Sequence, residues 1–375
     1  MNMFKNRRRQ LNKRLMAGDV DTVIISSPSN LYYYTGFTGG EAFFVMPVEK
    51  KEDVWEKAAD SGKKEEGYVI TDSRYYEQVE RECPKLTLIP LEEKGYSKTV
   101  KELLDRFQKE GKVAIEDNMN LSQYLKLCET CPNYQFQVKG EVINLARMVK
   151  DAEEIEKIRK AEAIGDAAFS YIVNMIKPGV SEAEIALELE FFMKRQGATR
   201  LSFDTIVASG PNSSMPHAQV TDRKIEKGDF ITMDFGCVYQ GYCSDMTRTV
   251  AVGEPTEEMK QVYRIVLEAN CRAMEGIMAG RRCDDIDALA RNHIKECGYG
   301  EYFGHGLGHG VGLDIHEEPR FSPKCNVVIK ENMVITDEPG IYLPGRFGVR
   351  IEDLVVVKKD GYEKLSHSEK ELMVL

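Results

Sequence analysis

At 375 residues the chain is long enough for two ordinary cores, so a single small binding module does not account for it. An apolar share of 42% and a charged share of 30% fit a folded soluble protein, and a net charge of -10 argues against nonspecific binding to nucleic acid. There is no run of about 18 apolar residues that would read as a membrane span.

The elements are taken in chain order. The basic stretch 5–14 reads as an amphipathic helix, 5–17, with Phe4, Leu11 and Leu15 among charged residues and Gly18 as its stop. It is not a secretory signal, because no continuous apolar segment follows the basic residues. Strands are predicted at 20–26, 41–46, 68–71, 86–89 and 112–116, and further helices at 73–81, 97–110 and 120–129, an α/β pattern. The segment 47–67, rich in lysine and glutamate and carrying Trp55, is expected as a surface hairpin or short helix. Nine cysteines, an odd number in a long chain, do not make a disulfide framework. The pair Cys128-Glu-Thr-Cys131 has no second pair at zinc-site spacing, so the thiols read as incidental residues of a reducing, cytoplasmic setting.

A boundary falls at 140–150, giving domains 1–145 and 146–375. Asp151-Ala-Glu-Glu154 then forms a capping box, and Ile155, Ile158, Ala161, Ile164, Ala168 and Ile172 follow helical spacing until Lys177-Pro-Gly179. Ser181-Glu-Ala-Glu184 opens a second helix that ends near Gly197. Strands are predicted at 205–209, 230–236 and 247–252. Helices follow from Thr256 to near Gly280 and from Asp284 to Gly298, and strands return after 325. Helix, helix, strands thus occurs twice, which predicts two similar halves in one α+β domain, with helices on one face of a curved sheet.

The chemistry concentrates in this second part. Asp234 sits inside the apolar stretch Phe230-Ile-Thr-Met-Asp-Phe235, where a carboxylate has to be paired, protonated or bound to a metal. Strand periodicity puts Asp245 and Thr247 on one face, although either aspartate taken alone reads first as a turn cap or surface acid. The chain has only six histidines, and His217, His305, His309 and His316 all lie in one hundred-residue interval. Glycines at 304, 306, 308, 310 and 312 surround His305 and His309, permitting close backbone approach and unusual dihedrals, but their spacing does not match GxGxxG and gives no dinucleotide site. Glu338 ends another apolar run. Arg350, Glu352 and Leu354 alternate along a strand-prone segment from Val349 to Val357, which also admits a salt-bridge network built on Arg350. Four carboxylates neutralise two divalent cations, and neutral His309 adds an imidazole without charge. The oxygen-dominated set favours Mn²⁺, Co²⁺ or Fe²⁺ over a structural zinc site.

With these segments in place, the sequence resembles the creatinase/aminopeptidase P/prolidase family of pita-bread metallopeptidases, in its Xaa-Pro-cleaving branch. The resemblance runs through Phe203-Asp-Thr-Ile-Val-Ala-Ser-Gly-Pro-Asn-Ser-Ser-Met-Pro-His217, Met233-Asp-Phe-Gly236 and Ser244-Asp-Met-Thr-Arg-Thr249. It continues through Gly304-His-Gly-Leu-Gly-His-Gly310, Glu338-Pro-Gly-Ile-Tyr342 and Val349-Arg-Ile-Glu-Asp353. It implies an α/β creatinase-like N-terminal domain followed by a pita-bread catalytic domain. The implied ligands of two divalent cations, Mn²⁺ first with Co²⁺, Fe²⁺ or Zn²⁺ as alternatives, are Asp234, Asp245, His309, Glu338 and Glu352, with Asp245 and Glu352 spanning both ions. By the same resemblance His217, His305 and His316 surround the substrate, Arg350 supports the ligands and Thr247 lies beside them. His316 would stabilise the oxyanion and Glu338 would carry a proton to the leaving nitrogen. Asp337, at a position usually apolar or acidic in the family, is a minor departure, as is an expanded 47–67 segment. The expected substrates are short peptides with proline after the scissile bond, cleaved by a homodimer with no nucleic acid or membrane partner. An Xaa-Pro aminopeptidase is the first expectation, with an Xaa-Pro dipeptidase and a non-catalytic peptide-binding homologue as alternatives.

Overall fold

A computed structural model describes residues 3–49 and 67–375, so nearly all of the 47–67 segment lies outside the described residues. The chain divides into two compact units, Met1–Arg147 and Met148–Leu375. The first runs α1 (Met3–Met16), β1 (Thr22–Ile25), α2 (Pro28–Thr35), β2 (Phe43–Pro47), β3 (Tyr68–Thr71), α3 (Tyr76–Glu82), β4 (Thr87–Pro90), α4 (Tyr96–Phe107), β5 (Gly111–Ile115), α5 (Leu121–Thr130) and β6 (Tyr134–Val138), and the helix α6 (Gly140–Met148) follows. The six strands form one sheet in the order β4-β3-β2-β1-β5-β6. Its β1–β2 and β2–β3 pairs are antiparallel and its β3–β4, β1–β5 and β5–β6 pairs are parallel.

Three elements of this unit, α2, β6 and α6, are absent from the sequence reading. The signals for α2 were present: Pro28 in its first turn, and Gly36 at its C-terminus with φ 83°, its amide donating to Tyr32 O. Tyr33, Tyr34 and Phe37 are core residues, and the Tyr33 and Tyr34 hydroxyls donate to Ala146 O (2.8 Å) and Ile143 O (2.5 Å). The basic helix α1 buries Leu11 and Leu15 as expected, but it also buries Arg7 and Arg8. Their guanidinium groups donate to Tyr33 O (3.3 Å) and Tyr34 O (2.7 Å), so part of the basic character of α1 serves packing.

In the second unit α7 (Ala152–Ile172) and α8 (Glu182–Arg195) both start with the expected capping boxes, Asp151 with Glu154 and Ser181 with Glu184. Buried Glu154 also accepts from the Tyr242 hydroxyl at 2.9 Å. A small sheet of β7 (Arg200–Leu201), β10 (Cys237–Tyr239) and β11 (Tyr242–Cys243) flanks an antiparallel one of β8 (Ile206–Ser209), β9 (Phe230–Phe235) and β12 (Met246–Ala251). Next come α9 (Glu257–Gly276), α10 (Cys283–Glu296), β13 (Gly308–Gly310), β14 (Glu317–Phe321), β15 (Val334–Asp337), the hairpin β16 (Gly340–Leu343) and β17 (Phe347–Arg350), β18 (Asp353–Lys358) and β19 (Gly361–Lys364). Each helix pair has its own core. Ala161, Ile164, Leu189 and Met193 pack on Ile231, Met233, Phe235, Met246 and Val250. Val262, Val266, Ile286 and Ala290 pack on Ile335, Val355 and Val357. At roughly 1.5–3 kcal/mol per buried large apolar side chain, this packing outweighs helix propensity in holding the layers together. The two helix-over-sheet halves are the α+β pita-bread arrangement.

The alternation that feeds the first core also aims the polar residues. Met233 and Phe235 of β9 and Met246 and Val250 of β12 face the helices. Asp234 therefore points to the other side, directly opposite Thr247 in the antiparallel register, and Thr232 lies opposite Thr249. One expectation is corrected here: the segment from Val349 to Val357 is not one strand. It breaks after Arg350 into β17 and β18, which belong to different sheets. Glu352 sits in the break, with its amide donating to Thr247 O at 3.1 Å, so Glu352 is anchored to the first half of the unit. No helix of the described residues is long and apolar enough to cross a membrane, and all nine cysteines are free thiols.

Candidate metal centre

A cavity of about 950 Å³ in the second unit is lined by Asp234, Asp245, Glu338, Glu352, His217, His305, His309, His316 and Arg350, whereas Thr247 lies behind its wall. Asp234 and Asp245 come from β9 and the approach to β12; His309 comes from β13, Glu338 from the end of β15 and Glu352 from the strand break. Ligand atoms of Asp245, His309 and Glu352 all lie within 4.8 Å of one another, and His309 Nε2 is 3.5 Å from carboxylate oxygens of both Asp245 and Glu338.

Burial keeps His309 neutral by driving its pKa down to about 3, so those approaches are not ion pairs. Its Nδ1 faces Gly310 O at 3.1 Å, which places the hydrogen there and leaves the Nε2 lone pair toward the carboxylates. Burial, reinforced by the neighbouring carboxylates, pushes the Asp245 and Glu352 carboxyls well above their usual range and takes Glu338 to about 8. Asp234 Oδ1 is buried with no hydrogen-bond partner among the described residues. Crowded carboxylates, an orphaned oxygen and an imidazole lone pair fit divalent cations: metal charge would offset the repulsion and satisfy the orphaned acceptor.

Arg350 resolves the sequence alternative by serving both readings. It does form a salt bridge, Nη2 to Asp234 Oδ2 at 2.7 Å, but this occupies only one oxygen of one carboxylate. Its Nε donates to Thr247 Oγ1 (3.1 Å), which donates to Glu352 Oε2 (2.8 Å), and its Nη1 donates to Pro216 O (3.2 Å) and the Tyr342 hydroxyl (2.9 Å). Tyr342 ends the Glu338-Pro-Gly-Ile-Tyr342 motif, and the sequence alone assigns it no role. Ile341 and Leu343 face the core, so Tyr342 between them faces the site, and strand alternation could have found it. Its hydroxyl lies 3.0 Å from His305 Nε2, while His305 Nδ1 lies 2.8 Å from Gly306 O. Burial lowers His305 to about 4, a neutral ring held at both nitrogens. His316 is exposed at the cavity rim, its ring 4.5 Å from that of His309.

Asp337 faces away from the cavity, opposite Asp353 in the β15–β18 register. Neither of its carboxyl oxygens has a partner among the described residues, and burial raises its pKa well above the usual range. Asp353 is the charged member of that pair, held by Arg248 and Lys370.

Of the five glycines around His305 and His309, Gly306, Gly308, Gly310 and Gly312 serve close approach, and none of the five has a positive φ. A Cβ at Gly308 would fall 2.0 Å from Thr336 O and one at Gly310 2.4 Å from Glu318 O. Gly308→Ala is therefore expected to force β13 away from β15, costing at least about 1–3 kcal/mol and displacing His309. Thermal unfolding and metal titration of the variant check this; unchanged values for both would refute it.

The two helix-over-sheet halves and the buried carboxylate–imidazole cluster define a metallopeptidase. The chain belongs to metallopeptidase family M24: residues 156–359 match that family, and residues 7–149 match the Creatinase/Prolidase N-terminal domain. Membership implies divalent metal ions. The chain is 38% identical over 377 residues to an Xaa-Pro dipeptidase of Pyrococcus furiosus, covering 99% of this chain and 100% of that protein. Among solved structures it resembles an Xaa-Pro dipeptidase from Bacillus anthracis, with TM-score 0.91, 38% identity and coverage of 99% and 100% of the two chains. It also resembles an X-Pro aminopeptidase from Thermotoga maritima, with TM-score 0.84, 37% identity and coverage of 97% and 99%.

Proposed function

We propose that the protein is an Xaa-Pro dipeptidase, a metal-dependent hydrolase that splits a dipeptide before a C-terminal proline. The sequence reading put aminopeptidase first; the observation that reverses the order is the full-length similarity to Xaa-Pro dipeptidases. Arg320 supports it chemically. It is a half-buried residue of the cavity wall whose positive charge acts on His309, His316 and Glu338, and a free carboxylate on the substrate calls for such a partner. The similarity to the Thermotoga maritima aminopeptidase keeps the second reading in play. Hydrolysis of Ala-Pro and Ala-Pro-Ala by Mn²⁺-loaded enzyme decides between them: cleavage confined to Ala-Pro is expected, and comparable cleavage of the tripeptide overturns the dipeptidase reading. Repeating the assay with Co²⁺, Fe²⁺ and Zn²⁺ tests our assignment of Mn²⁺.

In this reading Asp234, Asp245, His309, Glu338 and Glu352 hold the two cations. Bound there, the cations supply an activated water and polarise the scissile carbonyl. The rest is the work of the chain's own side chains. Arg350 fixes Asp234 by a salt bridge and Glu352 through Thr247, so both carboxylates keep their orientation. Glu338 carries a proton to the proline nitrogen, which has to be protonated to leave as an amine. His217 and His305 hold the peptide against the cavity wall, and His316 donates to the carbonyl oxygen as negative charge develops on it. His316→Ala is expected to keep both metal sites filled while lowering kcat by about 10²–10³-fold, the usual cost of losing one such donor. Metal analysis alongside steady-state kinetics checks it, and near-normal turnover would remove His316 from that role.

A further inference from the structure

Helix α10 carries a polar pair, buried Asp287 and half-buried Arg291, with no role in the proposed reaction. Asp287 and Arg291 lie one turn apart, and Ile286, Ala290 and Ile294 of the same helix face the core. The pair is bidentate, Arg291 Nε to Asp287 Oδ2 at 2.6 Å and Nη2 to Oδ1 at 2.7 Å, and the Asp287 side chain is 1% exposed. Both residues also bind backbone. Arg291 Nη1 donates to Phe303 O (3.1 Å), Nη2 donates to His305 O (2.7 Å), and Asp287 Oδ1 accepts from Leu307 N (3.1 Å). The guanidinium carbon also sits 4.4 Å over the Phe303 ring, which packs edge-on against His305 at 5.0 Å.

These contacts grip alternate residues of the segment 303–307, which is neither helix nor strand. His305 is flanked there by Gly304 and Gly306. Two glycines leave the backbone on either side of His305 with wide freedom and no side chain to anchor it, and a Cβ at Gly304 would meet nothing within 4 Å. Apart from His305 Nδ1 at Gly306 O, the side chains that hydrogen-bond the backbone of 303–307 among the described residues come from α10. From His305 the contacts continue through the Tyr342 hydroxyl to Arg350 and Asp234.

We propose that Arg291, braced by Asp287, is a positioning residue that sets the segment 303–307 and so fixes where His305 meets the bound peptide. This rests on the reading above that His305 contacts the substrate. A surface ion pair at this spacing adds little, whereas the guanidinium fork here also holds two backbone carbonyls beside the His305 ring.

The experiment compares Arg291→Met, Asp287→Asn, His305→Ala and the Arg291→Met/His305→Ala double variant as Mn²⁺-loaded enzymes, with Ala-Pro as substrate. Arg291→Met is expected to raise KM about ten- to a hundredfold, the scale of a loop misplaced by an ångström, with kcat and metal content much less changed. The double variant should have the KM of His305→Ala alone, because the two substitutions remove one and the same contact. Arg291→Lys should restore KM only in part, since an ammonium group cannot fork across two carbonyls and a carboxylate. A wild-type KM in Arg291→Met, or KM defects that multiply in the double variant, overturns the positioning role while leaving His305 in contact with substrate. A wild-type KM in His305→Ala overturns the assignment of His305 and this inference with it. If Arg291→Met does not fold, Asp287→Asn carries the same comparison, because it keeps the side-chain shape and an oxygen for Leu307 N.

Discussion

Asp245→Asn is expected to abolish Xaa-Pro turnover and empty part of the metal centre while leaving the metal-free fold at least as stable as before. The substitution keeps the shape and one oxygen but removes a negative charge from a set of four carboxylates. In the two-cation centre we propose, three carboxylates and a neutral imidazole no longer balance the charge, so affinity should fall by more than the ~10–100-fold typical of residues that only support ligands. In the metal-free protein the same change relieves repulsion: the Asp245 carboxyl is buried, and Glu352, Asp234 and Glu338 all act on it unfavourably. Metal titration, kinetics and thermal unfolding of the metal-free and loaded forms separate the two effects. Two tightly held ions per chain in the variant would remove Asp245 from the ligand set.

The largest effect on stability is expected at Arg248, a fully buried residue outside the cavity. Its guanidinium donates to Thr247 O (2.9 Å), Ser368 O (2.9 Å), Glu369 O (3.0 Å), Glu352 O and Asp353 Oδ1 (2.7 Å). It thereby ties β12 to the break between β17 and β18, the place where Glu352 leaves one sheet before the chain enters another. Arg248→Met would take this donor from all five acceptors, leaving Thr247 O with the Glu352 amide and Asp353 with Lys370 as its remaining cation. Breaking a buried pair in this way costs about 3–5 kcal/mol. Because Thr247 and Glu352 are positioned by the same guanidinium, metal affinity should fall with stability. Urea unfolding with and without Mn²⁺ measures both; a loss below about 1 kcal/mol would show that the network around Arg248 is redundant.

Some of this was legible in the chain itself because it depends on local rules. The capping boxes at Asp151 and Ser181 are set by hydrogen bonds within four residues, and both formed as read. The apolar positions of α7 follow helical spacing, and Asp234 stands out as a charge inside an apolar strand, which required an explanation before any coordinates. The aromatic run at Tyr32–Tyr34 hid α2, since β-prone aromatics masked the proline and glycine that bound the helix. The glycines of 304–312 are legible as a close-approach device, but the positive-φ dihedrals also expected there are absent: Gly306, Gly308 and Gly310 make room for neighbouring carbonyls at ordinary φ.

The sequence by itself determined which residue types were available for the centre and the faces that Asp234 and Thr247 would present, because side-chain alternation along a strand is a property of the backbone. It also carried the family motifs. Only the tertiary structure decided that the run from Val349 to Val357 breaks at Glu352, that Arg350 binds Asp234 without occupying the whole cluster, and which backbone and side-chain groups Tyr342, Arg248 and the Asp287–Arg291 pair bind. Each of these depends on hydrogen bonds between residues distant in sequence or on the meeting of two sheets, and neither local propensity nor periodicity encodes where such partners arrive.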